Sequence, residues 1–204
     1  MDLEPCSQFH GMKRLLFSCF KRILFHMIIF SKDECLDWTK RYKITLNGSG
    51  VPLCCNNAPI RLRVPFPKGF TQILWVARQI ERSLYLSSQC LVWVTESGIF
   101  DSAENLQLFY RYRQSYGSSK LLVDAPGHLC LSYERPEIVS LVWLCMLQGW
   151  DAHIIPDLGS TSAFVSHDQW FELGFTDLAA CKDSQKQFAA AKLESQLREN
   201  KGSS

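Results

Sequence analysis

Residues 138–147 read IVSLVWLCML, a run in which Ser140 is the single polar side chain. Pro136, just before it, suits the first turn of a helix, and Gly149, just after, suits its end. A helix apolar almost all round has no face to offer water, so it must be covered on nearly every side. Either it is the central helix of a domain, or one side of it meets another chain. The first needs fewer assumptions.

The neighbouring patterns supply covering layers. Over 71–86, Ile73, Leu74, Val76, Ala77, Ile80 and Leu84 share one face, and Gln72, Arg78, Gln79 and Arg82 share the other. That spacing predicts an amphipathic helix. CLVWV at 90–94 predicts a short strand buried on both faces. Asp101 and Glu104 have capping-box spacing, and the helix they open runs to Tyr116 and stops at Gly117. Extended pieces at 121–123 and 129–132 flank Pro126-Gly127, which suits the centre of a type II turn. Residues 150–156 and 162–165 read as the strands of a hairpin. A short helix is expected over 167–173, started by Ser166-His167-Asp168-Gln169, and a polar, alanine-rich helix over 184–199.

This alternation is that of an α+β domain, or of a small α/β sandwich. The expected architecture is a short mixed sheet covered by three helices. A globular domain over 61–178 follows a basic, partly irregular N-terminal extension over 1–60. A polar C-terminal helix and tail occupy 179–204.

At 204 residues, the chain suits one domain with a real core. Its charge is uneven, with eleven Lys/Arg against five Asp/Glu in residues 1–68 and eleven against fifteen in 69–204. So mild a basic excess reads as a solvated extension rather than a nucleic-acid site. Residues 12–30 are the one membrane candidate, but Lys21 and Arg22 divide the run and leave too few apolar residues for the roughly 20 of a span. The nine cysteines follow no disulfide or zinc spacing, and Cys90, Cys130 and Cys145 sit in apolar runs as small hydrophobes. A reduced, cytoplasmic chain is expected. Neither metal nor cofactor is expected, because no helical His-x3-His or finger spacing occurs.

Four polar groups resist a purely structural assignment. Asp124, His128 and Glu134 stand at the ends of apolar strands, and Arg113 falls within the apolar face of the helix that also carries Tyr110 and Tyr112. A buried guanidinium calls for an acid, and Glu96, Asp124 and Glu134 are the candidates. His153 and Asp151 alternate along one strand and so share a face. The expectation is a small soluble binding or interaction protein without catalysis, its protein partner unknown. The alternative is a hydrolase-type enzyme with Asp124, His128 and Glu134 as catalytic groups and Arg113, Tyr110, Tyr112 and Glu96 as binding groups.

Overall fold

In a computed structural model, which describes residues 27–53, 55, 57–84, 88–97, 103–157 and 161–199, the CLVWV run lies inside a sheet. Its eight strands are β1 (Ile28–Phe30), β2 (Ile60–Pro65), β3 (Gln89–Glu96), β4 (Gly127–Leu131), β5 (Asp151–Pro156), β6 (Thr161–Ser166), β7 (Trp170–Phe175) and β8 (Gln196–Glu199). They are ordered β1-β4-β3-β5-β6-β7-β2-β8, and every pairing is antiparallel. Five helices accompany them among the described residues: α1 (Lys32–Arg41), α2 (Phe70–Ser83), α3 (Ala103–Ser115), α4 (Arg135–Gln148) and α5 (Leu178–Ala190). The mixed α/β class agrees with the sequence. A short mixed sheet under three helices does not, because the sheet is wide and wholly antiparallel.

One of the differences comes from period. Apolar Phe171, Leu173 and Phe175 alternate with Glu172 and Gly174, so 170–175 forms β7 rather than a helix, and His167 to Gln169 form the turn before it. The C-terminal helix ends at Ala190, and β8 then pairs with β2. Residues 121–123 also differ, forming turn rather than strand.

The apolar helix is α4. Ile138, Leu141, Val142 and Cys145 are buried on β3, β4, β5 and β6, and α4 also packs against α2. Gly149 closes it in the left-handed conformation at φ 63°. Glu81 of α2 and Arg135 of α4 form an ion pair. Phe188 of α5 meets Phe171 of β7 and Trp75 of α2, with ring centroids 5.3 and 6.0 Å apart. α2, α4 and α5, with Phe109 of α3, thus seal one face of the sheet over Val92, Cys130, Ile154, Val165 and Leu173.

The other face is covered from within the segment expected as an extension. Over its described residues, that segment contributes β1, α1 and the loop 42–59. Ser31 and Glu34 form a reciprocal capping box at the start of α1. Cys35 and Trp38 then bury against Leu91 and Trp93 of β3, Leu129 of β4 and Ile155 of β5. Two glycines permit this close approach. A Cβ on Gly127 would collide with Cys35 Sγ and stand 2.8 Å from Phe30 Cβ; one on Gly174 would stand 2.8 Å from Ala58 Cβ. Gly127 therefore serves contact rather than a type II turn, and its φ is not positive. Residues 1–26, including most of the membrane candidate, lie outside the described residues. No helix among those described is long and apolar enough to cross a membrane.

Gly127→Ala should lower unfolding free energy by about 1–3 kcal/mol, because the added methyl overpacks the seam between α1 and the sheet. Gly48→Ala, where a Cβ meets nothing within 4 Å, should stay within about 0.5 kcal/mol of wild type. Urea denaturation of the two variants checks both values.

Candidate functional site

Beyond α1, the second face of the sheet carries a different set of side chains. Pairing aligns Trp93, His153, Phe164, Glu172 and Arg63 in one row across β3, β5, β6, β7 and β2. Trp170 lies beside the row, at the start of β7. Glu172 is buried and held by two arginines: Arg63 Nε donates to it at 3.0 Å and Arg61 Nη1 at 3.4 Å. The Arg63 guanidinium also stacks on Trp170, 3.5 Å from the ring centroid. These contacts fix the indole beside Phe164, whose ring is inclined at 58° to it and lies 5.4 Å from Trp170 and 4.6 Å from His153.

Over this floor residues 47–53 and Cys55 form a roof. Asn47 Oδ1 accepts from the backbone N–H groups of Ser49 and Val51, both at 2.9 Å, which shapes the turn. Cys55 Sγ reaches Ser162 Oγ at 3.4 Å. Between roof and floor runs a groove of about 250 Å³, lined by Val51, Leu53, Thr95, His153, Phe164 and Trp170, among others. His153 is only 5 % exposed, and its Nδ1 has no hydrogen-bond partner among the described residues.

The groove mouth is acidic. A β-bulge between Val94 and Glu96 sets Glu96 opposite Asp151, across β3 and β5. Bulges re-aim side chains in this way. Two carboxylates directly opposite repel one another. His167, in the turn after β6, answers them. Its backbone N–H and its Nδ1 both meet Asp151 Oδ1, at 2.7 and 2.9 Å, and Nδ1 lies 4.0 Å from Glu96 Oε2. The hydrogen bond to Asp151 raises the His167 pKa above the ordinary imidazole value.

No family model, no curated protein and no solved structure matches the chain. Its chemistry is therefore read from these side chains alone.

The groups singled out in the sequence are placed differently. His128 pairs with Val92 and faces the helix layer, on the opposite side of the sheet from the groove. It is wholly buried beside Phe109, and its Nδ1 lies 3.3 Å from the Val92 carbonyl. Arg113 is buried nearby, but it meets a carbonyl rather than an acid. Its Nη2 donates to Ala125 O at 2.8 Å, while Nε and Nη1 find no acceptor among the described residues. Asp124 is exposed, and Glu134 Oε2 accepts from the Leu131 N–H at the far end of β4. Tyr110 Oη accepts from the Leu122 N–H at 3.1 Å, and Tyr112 stacks edge-on against Tyr116. Of this set, Glu96 alone lines the groove. The shared face of Asp151 and His153, read from alternation, is the one sequence signal that pointed to it.

Burial, reinforced by the nearby Arg113, pushes the His128 pKa down to about 3. The unfolded chain then binds this proton at higher pH than the folded one, so stability falls as pH drops from about 6.5 toward 3. Between pH 7 and 4.5, His128 should cost roughly 2 kcal/mol of unfolding free energy. His128→Phe should remove that part of the slope in urea titrations run across the same range.

Proposed function

We propose that this protein is a small cytoplasmic binding protein without catalysis, and that it takes its ligand in the groove between residues 47–53 and the row His153, Phe164 and Trp170. His153 carries the reading. A buried imidazole nitrogen without a partner costs about 1–3 kcal/mol, and a ligand that shifts the groove lining enough to reach it recovers this. The floor adds two aromatic faces, one of them braced by Arg63. At about 250 Å³, the groove suits a group smaller than a typical drug-sized ligand, such as a small flat molecule or one side chain of a protein partner. A flat group stacked on Phe164 or on Trp170, whose rings are inclined at 58°, with a polar atom turned toward His153, matches shape and chemistry together.

An NMR titration of the full chain with flat aromatic amides, amines and carboxylates tests this. The earliest shifts are expected at the His153 ring and the Trp170 indole. His153→Phe keeps a ring in place without its nitrogens and should weaken the bound fragments about tenfold. Fragments that settle on other surfaces and leave His153, Phe164 and Trp170 unmoved would overturn the reading.

A further inference from the structure

We propose that Glu96, Asp151 and His167 form a site for one divalent first-row metal ion at the groove mouth. One ligand atom from each residue lies within 4.8 Å of the other two. The three come from separate elements: the bulged end of β3, the start of β5 and the turn between β6 and β7. Around a bound ion such atoms stand roughly 3 Å apart, so Asp151 Oδ1 and His167 Nδ1, at 2.9 Å, are already spaced for it. Glu96 has to move by about 1 Å, and its side chain is 55 % exposed and free to do so.

Two further observations bear on how an ion would be held. Asp168 Oδ1 lies 3.4 Å from His167 Nε2, on the side of the ring away from Asp151. Asp168 can hold a proton on Nε2 when an ion takes the place of the Nδ1 proton that now meets Asp151, the arrangement that supports metal-bound histidines. His153 is the second. More than nine-tenths buried and with Nδ1 unpartnered, it lines the same groove as Glu96 and Asp151. Two residues along β5 from Asp151, it lies on the same face of the sheet. Two carboxylates and one imidazole suit manganese- or iron-type ions; calcium takes six to eight oxygens. Three protein donors leave positions free for water or ligand. The site does not depend on the groove's organic ligand, which meets the aromatic floor instead.

Manganese is the probe, because a chain with nine cysteines binds softer ions through thiolates. After chelator treatment, calorimetry with MnCl₂ should show one site per chain. Paramagnetic broadening should centre on Glu96, Asp151 and His167 and include His153. Glu96→Gln alters an exposed side chain without threatening the fold and should weaken binding at least tenfold; Asp168→Asn should weaken it by a smaller factor. Broadening centred elsewhere, or Glu96→Gln and His167→Asn binding manganese as wild type does, would overturn the site. Either result leaves the groove reading standing, because that reading is tested through His153→Phe and organic fragments.

Discussion

Everything in this fold follows from a central strand that has to be dry on both sides. In β3, Cys90, Val92 and Val94 turn to one layer, and Leu91 and Trp93 turn to the other. Four helices serve the first layer, and α4 is the apolar helix whose own composition demands a sheet beneath it. Among the described residues the second layer has α1 and the loop after it, and these reach the sheet because Gly127 and Gly174 lack side chains. Unequal covering of the two faces follows directly. One side is closed over its width, and the other is closed at β3 and β4 and grooved over β5, β6 and β7.

That inequality separates two kinds of polar residue. On the helix side, burial acts on His128 and Arg113 with no acid hydrogen-bonded to either among the described residues: the imidazole is held neutral, and the guanidinium settles for the Ala125 carbonyl. On the grooved side, charges are matched. Glu172 holds two arginines, and Asp151 holds His167. The bulge in β3 brings Glu96 into this second group, although its neighbour Val94 belongs to the core. Buried cysteines behave alike on both sides: burial pushes the thiols of Cys35, under α1, and Cys145, in the helix layer, up to about 12, and both act as packing groups.

Local signals were legible where one period dominated a segment. The helix over 70–83, the strand over 89–96, the all-apolar helix and the hairpin of β5 and β6 can each be traced to spacing or composition in the chain. WFELGF was equally legible as alternation, with Phe171, Leu173 and Phe175 in phase, but the polar quartet before it resembles a helix start. Ser31 and Glu34 carry a capping box within a stretch whose basic residues and turn-formers suggest irregular chain. In both places a real short-range signal competed with a compositional one.

The sequence by itself determined which segments bury one face, which bury both, and that Asp151 and His153 look the same way, because these depend on residue spacing along a single element. Only the tertiary structure decided that residues 27–53 cover the sheet, that β3 and β5 bring Glu96 opposite Asp151, and that His167 joins them from a turn. Strand order and register across gaps of tens of residues leave no local trace, since pairing energy depends on neighbours that the chain supplies from far away. For the same reason Arg113, which asks for an acid when read along its helix, lies against a backbone carbonyl in the fold.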